Sequence, residues 1–507
     1  MNVFQRAARI VRSPWTPGLL SLGGWAAMAR LSRDFVWGGG HEARPILLFA
    51  GVLGIQWLLF IWALVAARSQ PTPMGKPLGF AALGLLFHLL FLGSNPIQEH
   101  DAYRYLWDGA TLSSGASPYA YTPQATLDAV DAIDGGPAPP DRQRLVARVR
   151  SDPHALATLQ RVGYPDVPTI YPPAAQAAFA AAYTIGGWSW DGPRVLFIGF
   201  YFAGVLLVLH AVTENSRKTM AAIALAWCPL AVKEIGNSAH LEALLVLEFA
   251  ALVWLLSRAE NFYNYYKPAS VSLGAGVLLG LAVLTKFWPA MLVPILAVWM
   301  ARRFSPRYGV LCALAAAGTV ALGLAPLLGR DLANMTEGMR RFGELWERNA
   351  GLYSVLSWLT GSVPAKVLSA LLVLAVIIWS IRKVWSDDGK SGERGTPAPH
   401  TLHKWLALTI CVWFLVLPMA YPWYLLGLCV FAAVNEYSLL PWVLMASVQS
   451  AYYLLFYAEY HDLPANAGRW VRAAEYGIPL AIMLFSAVRT RYADSSQVPS
   501  VSACASA

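Results

Sequence analysis

Residues 77–109 read PLGFAALGLLFHLLFLGS-NPIQEHDAYRYLWDG, an apolar run that ends at Ser94 and is followed at once by an acidic cluster. The apolar part predicts a transmembrane helix, and Glu99 and Asp101 then lie at its mouth. Ionisable groups near hydrocarbon are expensive and persist mainly where they line a water-filled cavity or bind a ligand. The cluster is therefore a site candidate, and the alternative is an ordinary solvated helix end.

The whole chain has the composition of an all-α polytopic integral membrane protein. Of its 507 residues, 57% are hydrophobic and 13% are charged. Such a chain is not an ordinary soluble globule, and in lipid a spanning segment must pair its backbone amides internally, which favours helices. The formal charge of +9 comes from Lys and Arg scattered over membrane-flanking loops without forming a stripe. This pattern indicates a membrane and not a nucleic acid as the partner.

The cysteines and the two chain ends provide no candidate functional site. Five cysteines occur without CxxC spacing, so we predict neither a disulfide framework nor a zinc site. Arg6, Arg9 and Arg12 precede the weakly apolar residues 14–31, which predicts a first helix with a cytoplasmic N-terminus. The tail 489–507 is expected to be disordered.

The apolar segments predict about 13–14 transmembrane helices, several of them shorter than the roughly 20 residues that a straight span needs. These segments are 14–31, 46–66, 77–94, 193–213, 218–236, 240–257, 270–286, 288–301, 308–328, 363–381, 404–420, 422–434, 438–457 and 473–488. With the N-terminus inside, the flanking basic residues fall mostly in cytoplasmic segments, as the positive-inside rule requires. Those basic residues include Arg68, Lys76, Arg217, Lys218, Arg258, Lys267, Arg302, Arg303, Arg307, Arg382, Lys383, Lys390, Arg394, Arg489 and Arg491.

The segment 172–188 tests this topology. It is short and Ala-rich, and if it crossed the membrane it would move Arg217 and Lys218 to the outside. We therefore interpret it as an outer-face juxtamembrane or re-entrant helix that begins at its two prolines. The alternative is a true span that shifts the later topology.

Four parts follow along the chain: an N-terminal helix pair (1–76), a core (77–301), C-terminal helices (302–488) and the tail (489–507). Two long hydrophilic loops, 95–171 in the core and 329–352 in the C-terminal part, lie outside in this topology. Residues 141–150 in the first loop predict a helix. Loops of this length in a compact membrane protein are more often functional than connective.

Polar residues recur at several helix ends on the outer side, which predicts one outer-leaflet cavity with a carboxylate centre and a cationic centre. Each residue has a plainer alternative: Lys233 and Glu234 as interfacial charges that snorkel, His240 as a helix-entry residue, and the loop arginines as a solvated face. Beyond Glu99 and Asp101, the candidates are Tyr103, Arg104, Asn237, His240, Lys286, Arg340, Arg341, Arg348 and Tyr424.

Lys286 stands out because it interrupts a long apolar run. It reaches water only where a cavity or the outer surface meets it, so a point charge for phosphate is its favoured role. Tyr424 belongs to the motif Tyr-Pro-Trp-Tyr at 421–424. An aromatic belt or a wall for a sugar or isoprenoid group explains that motif equally well.

Five segments resemble, in order, the GT-C type multi-span glycosyltransferases, particularly bacterial polyprenol-phosphate-mannose-dependent mannosyltransferases. They are EHDAYRYLWDGATLSSGASPYAY (99–121), TIYPPAAQ (169–176), AWCPLAVKEIGNSAHLEALL (226–245), GLAVLTKFWPAMLVP (280–294) and MAYPWYLL (419–426). The resemblance runs over residues 77–435. The chain differs from the simplest family layout by two extra N-terminal spans.

The resemblance implies a GT-C type core and a lipid-phosphate sugar donor without a nucleotide sugar. It also implies inversion at the anomeric carbon and a carboxylate base in the first outer loop, at Glu99 or Asp101. We expect Asp101 to be the base and Glu99 to orient the acceptor or a divalent cation. A divalent cation, Mg or Mn, is the one possible cofactor. The expected partners are the donor and a lipid or glycan acceptor at the outer face of a bacterial inner membrane. Mannose is the expected sugar, with arabinose, glucose or another hexose as alternatives.

Two other classes of function remain open from the sequence. A lipid-linked glycan flippase or transporter would also use many spans and buried charges, although no inverted repeat is visible. A glycan ligase or polymerase with a lipid-pyrophosphate donor would share the topology and use two cationic groups for the larger phosphate.

Overall fold

The computed structural model describes residues 12–68, 77–132, 138–261, 267–387 and 399–495. These ranges are built from helices and contain no strand, and one isolated bridge pairs Arg348 with Met419. The prediction of an all-α membrane protein is confirmed. Several sequence predictions fall outside the described residues, namely those on Arg6, Arg9, Lys76, Lys390, Arg394, Cys504 and residues 496–507.

The first half of the chain begins with three apolar helices, α1 (Trp15–Leu31), α2 (Ile46–Arg68) and α3 (Pro77–Leu89). The first loop then forms α4 (Asp101–Ser113), α5 (Pro123–Asp131), α6 (Pro140–Ser151) and α7 (Pro153–Leu159). It is followed by α8 (Pro173–Gly186), α9 (Asp191–Ala211), α10 (Asn215–Ala226), a π-helical turn (Val232–Asn237) and α11 (Glu242–Asn261).

The second half contains α12 (Pro268–Thr285), α13 (Val293–Arg303), α14 (Pro306–Leu324) and α15 (Arg330–Leu345). Next come α16 (Leu352–Thr360), α17 (Ser362–Trp385), α18 (Pro399–Leu415) and α19 (Leu426–Val434). The described chain ends with α20 (Glu436–Gln449), α21 (Tyr453–Tyr460) and α22 (Ala465–Ser495).

Seven helical segments in the described ranges are long and apolar enough to cross a membrane. They are His41–Arg68, Asp191–Ala211, Asn215–Asn237, Pro268–Thr285, Pro306–Leu327, Ser362–Trp385 and Leu439–Tyr460. Each overlaps one of the predicted spans. The remaining predicted spans are also helical but are shorter or less apolar, so the total of 13–14 stays a prediction.

The first outer loop is a folded unit and not a flexible connection. The predicted helix at 141–150 is present as α6. A small apolar core within the loop is formed by Tyr103, Trp107, Val149, Ala155, Leu159 and Val162. The second loop is helical as well, since α15 occupies most of it.

Close helix packing sets the position of the first-loop helix α4. A Cβ added at Gly109 would lie 2.2 Å from the carbonyl oxygen of Phe179, so α4 and α8 touch through their backbones at this point. Gly276 allows a similar backbone contact between α12 and α14, because a Cβ at this position would lie 2.3 Å from the carbonyl oxygen of Cys312. Small residues of this kind allow helices to approach closely in membrane proteins.

Two sequence predictions need comment at the level of the fold. Helix α22 continues to Ser495 and so includes residues 489–495, which the sequence analysis assigns to the tail. After Pro479, which lies inside this helix, no proline or glycine follows before Pro499, so nothing in the composition of residues 480–495 ends the helix earlier. The cysteines in the described ranges, Cys228, Cys312, Cys411 and Cys429, are free thiols.

Helix α8 has 14 residues. At 1.5 Å per residue it is about 21 Å long, which is shorter than the roughly 30 Å hydrocarbon core of a bilayer. Its length supports the interpretation that residues 172–188 stay on the outer face.

Cysteine labelling tests this topology. In a background without native cysteines, Ser151→Cys and Ser189→Cys, both at exposed positions, should react with an impermeant thiol reagent added from outside. Ser216→Cys, exposed beyond the other end of α9, is the matched control and should react only after permeabilisation. The reverse pattern at positions 189 and 216 would show that α8 crosses the membrane.

Candidate active site at the start of helix α4

The segment before the acidic cluster is held by a buried asparagine. Asn237 Oδ1 accepts from the backbone N–H of Ile97 at 2.8 Å, and its Nδ2 donates to the carbonyl oxygen of Asn95 at 2.8 Å. Arg194 in turn donates to the carbonyl oxygens of Asn237 and Ser94, both at 2.8 Å. Asn237, a predicted substrate-binding residue, therefore fixes the backbone that leads to Glu99.

Glu99 is fully engaged by protein groups. Its Oε1 accepts from the backbone N–H groups of His100 and Asp101, at 2.7 and 2.8 Å, and so caps the start of α4. Its Oε2 lies 3.0 Å from His240 Nε2. Burial is the largest single influence and raises the pKa of the Glu99 carboxyl, but the charge and hydrogen bond of His240, together with the charges of His100 and Lys233, outweigh burial and hold the pKa well below its usual value. Glu99 is therefore an ionised anchor for the helix that carries Asp101.

Behind Glu99 lies a buried ionic cluster formed by Lys233, Glu234, His240 and Tyr453. His240 Nε2 is also 3.2 Å from Glu234 Oε2, and Lys233 Nζ donates to the same oxygen at 3.3 Å. Tyr453 hydrogen bonds to Glu234 as well. Lys233 and Glu234 are 1% and 0% exposed, so the alternative that they snorkel to the interface was wrong. Their charges are satisfied inside the protein, because Ser238 and His240 just after the π-helical turn and Tyr453 of α21 contact them there.

Asp101 lies in the first turn of α4, next to this anchor, and is half-buried. Burial raises the pKa of Asp101, and the Glu99 carboxylate raises it further. The positive charges of His100, His240 and Lys286 lower it only in part. A carboxylate with a raised pKa is a stronger base than an ordinary aspartate.

Side chains of helix α4 also form hydrogen bonds that hold the later part of the first loop next to the site. Asp108 accepts from Thr169 Oγ1 at 2.6 Å and from Gln176 Nε2 at 3.1 Å. Arg104 Nη2 donates to the carbonyl oxygens of Tyr164 and Val167, at 3.2 and 3.0 Å. The loop that follows α7 is thereby held against the same helix face as Asp101.

Lys286 follows the last residue of α12 in an extended conformation, which turns its side chain out of the helix. Its Nζ pairs with Glu242 and lies 4.7 Å from the centre of the Tyr424 ring. The side chain keeps 16% exposure. Lys286 therefore presents a charge to a cavity, as its sequence context predicts.

The first of two cavities at the site, which we call the Lys286 cavity, has a volume of about 330 Å³. Its polar members include His100, Asp101, Arg104 and Lys286. The other walls are mostly apolar and come from α15 and the residue after it, from the 286–292 turn, and from α18 and the segment after it. They include Phe287, Trp288, Met339, Phe342, Trp346, Trp413, Leu417, Pro418 and Met419. The cavity combines a mostly apolar wall with the charged side chains of Asp101, Arg104 and Lys286.

The second cavity, which we call the Trp37 cavity, has a volume of about 410 Å³. Its wall includes Glu99 and Tyr103, neither of which lines the Lys286 cavity. Five residues belong to both cavities: His100, Asp101, Tyr164, Tyr421 and Trp423. Asp101 is the carboxylate that the two cavities share.

A stack of rings also borders both cavities and connects them to the ionic cluster. His240 stacks on Trp423 at 4.2 Å between ring centres, and Trp423 stacks on Tyr421 at 4.4 Å. The aromatic motif at 421–424 thus forms a wall of the site.

Glu99, Glu234 and His240 together have the ligand types and proximity that a metal site needs, with donor atoms within 4.8 Å of one another. The sequence predicts a different pair of cation ligands, Glu99 and Asp101. The group fits a divalent cation poorly, because Lys233 and His240 already contact the Glu234 oxygen that a cation would need.

The loop arginines lie apart from both cavities. Arg341 pairs with Glu337 at 2.8 Å, and Arg340 bridges Glu337 and Glu344 on the exposed face of α15. Arg348 pairs with Glu459 at 2.9 Å and lies over the Phe456 ring. Arg104 and Tyr424, in contrast, line the Lys286 cavity.

Sequence analysis missed much of the aromatic lining. Tyr164, Trp346 and Tyr452 have no local motif, because each borders a cavity only through its tertiary position. The link between α1 and α2 was missed for a different reason. It belongs to the N-terminal pair that the family resemblance leaves outside the core, yet Phe35, Trp37 and His41 line the Trp37 cavity.

Comparison of the chain with protein-family models, curated proteins and solved structures found no match.

His240→Ala should destabilise the protein, because it leaves Glu99 and Glu234 as two buried carboxylates without their shared donor. Removing one partner of a buried ion pair costs about 3–5 kcal/mol. We expect a clearly lower midpoint of thermal unfolding in detergent. The control is His210→Ala, at an exposed residue that bonds only to its own helix, which should melt like the wild type. Equal melting of both variants would contradict an anchoring role for His240.

Proposed function

We propose that the protein is a membrane glycosyltransferase that moves a single sugar from a polyprenyl-phosphate donor to an acceptor hydroxyl at the outer face of a bacterial inner membrane. The observation that carries the proposal is the position of Asp101 in the wall common to two cavities of different chemistry. A group transfer between two substrates needs such a shared boundary, with the catalytic group at the meeting point. Mannose remains the sugar that the family resemblance favours.

The Lys286 cavity suits the donor. A polyprenyl chain needs an apolar wall, and its phosphate needs a cation at the end of that wall. The apolar side chains contributed by α15 and the segment after α18 provide the apolar wall. Lys286 provides the cation, and Arg104 lines the same cavity. Trp288 and Trp413, stacked at 4.7 Å, add a flat apolar surface.

The chemistry assigned to Asp101 is general base catalysis. The acceptor oxygen attacks the anomeric carbon, and the bond from that carbon to the phosphate oxygen breaks on the opposite side. The acceptor hydroxyl has a pKa far above 7, so its proton must pass to a base as the new bond forms, and Asp101 receives it. A single displacement inverts the anomeric centre and needs one carboxylate base only.

Glu99 acts indirectly, by positioning Asp101 and not by contacting a substrate. Its oxygens accept two backbone N–H groups and face His240, which leaves little capacity to hold an acceptor. We therefore assign it the task of positioning α4 and of keeping the pKa of Asp101 raised.

Lys286 is assigned to the leaving group. The departing polyprenyl phosphate gains negative charge as the bond breaks, and a fixed cation stabilises that charge more in the transition state than in the ground state. The pair with Glu242 holds the ammonium in place before the donor binds.

A ligase that uses a lipid-pyrophosphate donor is the second candidate, because Arg104 shares the cavity with Lys286 and provides a second cation for a second phosphate. Purified protein incubated with polyprenyl-phosphate sugars and with polyprenyl-pyrophosphate sugars separates the two. Release of polyprenyl phosphate supports the main proposal. If sugar-lipid flipping in proteoliposomes occurs without any release, the protein is a transporter and not a transferase.

Asp101→Asn should reduce transfer by a factor of about 10² to 10⁴, the usual share of general base catalysis, because the amide keeps the shape but cannot take a proton. The matched control is Asp128→Asn, at an exposed residue of α5, which should keep wild-type turnover. Since Asp101 acts in its deprotonated form, wild-type turnover should fall as the pH drops through its raised pKa, above the usual value of about 3.9. Near wild-type turnover in the Asp101 variant would remove this residue from the mechanism.

Lys286→Met deletes the charge and keeps the apolar stem. If Lys286 meets phosphate already in the bound donor, the donor KM should rise; if it meets charge that develops on the leaving oxygen, kcat should fall. The double variant Lys286→Met/Glu242→Gln avoids an uncompensated buried carboxylate and should show the same defect. Lys404→Met, at an exposed residue of α18, is the control. Unchanged kcat and donor KM in both Lys286 variants would exclude the assignment.

A further inference from the structure

The outer wall of the Trp37 cavity is built by the chain between α1 and α2. Phe35, Val36, Trp37, His41 and Arg44 all line it. This segment is anchored to the catalytic loop, because Arg44 Nη1 donates to Gln98 Oε1 at 2.7 Å, next to Glu99 in the chain. The N-terminal helix pair therefore completes a cavity at the active site.

The lining of this cavity differs in kind from that of the Lys286 cavity. Its aliphatic members are Val36 and Pro96, and the rest are aromatic or polar. Several rings carry polar atoms at their edges, as in Trp37, Tyr103 and Tyr460. Leu417, Met339 and Met419 have no counterpart here; they line the Lys286 cavity. A hydrocarbon chain gains more from the wall of the Lys286 cavity than from that of the Trp37 cavity, because a larger share of the Lys286 cavity wall is apolar.

Aromatic faces with polar edges match a sugar ring. The ring presents C–H groups on its faces and hydroxyls around its rim, so it packs on a flat aromatic surface and bonds to polar groups beside it. Trp37 is 48% exposed and meets the Tyr103 ring edge to face at 5.7 Å between centres, so part of its surface stays free for a ligand. Arg161 lies in the same wall as a hydrogen-bonding group.

The volume exceeds what one sugar needs. At about 410 Å³ the cavity falls in the range of sites for drug-sized ligands, about 300–1,000 Å³. A single hexose is much smaller than such ligands, so the cavity has room for sugar units beyond the one that reacts at Asp101.

We propose that the Trp37 cavity binds an oligosaccharide acceptor, with its terminal sugar at Asp101 and a further sugar ring packed on Trp37. The segment between α1 and α2 then selects the acceptor. This inference rests on the proposed function for the direction of transfer, but it concerns glycan binding, which is measured without any donor. A lysophospholipid and a serine-containing peptide represent the other acceptor chemistries.

The test measures binding of linear mannose, glucose and N-acetylglucosamine tetrasaccharides to the full chain in lipid nanodiscs by calorimetry. We expect at least one tetrasaccharide to bind the wild type. Trp37→Ala should raise its Kd on the order of 10- to 100-fold, because the stacking surface is lost. Trp37→Phe should recover part of the affinity. The matched control is Trp358→Ala, at an 83% exposed tryptophan of α16 that belongs to neither cavity lining, and it should bind like the wild type.

Three results would overturn the inference: no tetrasaccharide binds the wild type, both Trp37 variants bind as tightly as the Trp358 variant, or only the lysophospholipid or the peptide binds. Failure of the proposed function looks different. It appears as glycan binding that depends on Trp37 without any release of polyprenyl phosphate. If release does occur and the acceptor KM is the same in both Trp37 variants and the wild type, the proposed function stands and this inference fails.

Discussion

The Glu99 carboxylate joins two parts of the chain that are 141 residues apart, because it accepts the first N–H groups of α4 and faces His240 before α11. A carboxylate that is 4% exposed is stable only when nearly every lone pair has a donor. This requirement fixes where α4 begins and which way it points. The position of Asp101, one residue into that helix, follows from it.

The same requirement explains why Lys233 and Glu234 lie in the interior. The π-helical turn that carries them places Glu234 against His240 and Tyr453. Each charge has an opposite charge or a hydroxyl within reach, and the cluster borders the cavities only through Glu99 and the Trp423 stack. The reactive side of the site is therefore left to Asp101, while the cluster behind it holds the geometry.

The site lies where apolar helices meet a layer of shorter helices formed by the two loops. Helix α15 contributes to the Lys286 cavity through one face, with Met339, Phe342 and Trp346, and carries its arginine–glutamate pairs on the other. A surface of this kind can cover an apolar ligand and still present charge to water. The N-terminal helix pair completes the opposite side, which gives the two cavities different chemistry.

Part of the candidate site could be predicted from single residues in the sequence. Glu99 and Asp101 after an apolar run, and Lys286 inside one, stand out because charge near hydrocarbon is costly, and the structure does bring Asp101, His240 and Lys286 around one centre. The loop arginines were less predictable. Arg340 and Arg341 have glutamates three and four residues away, and such local pairing on an exposed helix competes with any distant ligand.

The sequence by itself determined the all-α membrane class, the positions of the apolar helices and the polar residues that needed explanation, because helix formation and hydrocarbon burial depend on local composition. Only the tertiary structure decided which of those residues meet. It placed Glu99 against His240 and made Asp101 common to two cavities. It also brought Trp37 from the N-terminal pair into the site. Contacts of this kind depend on how helices pack across more than a hundred residues of chain, and no local pattern encodes that packing.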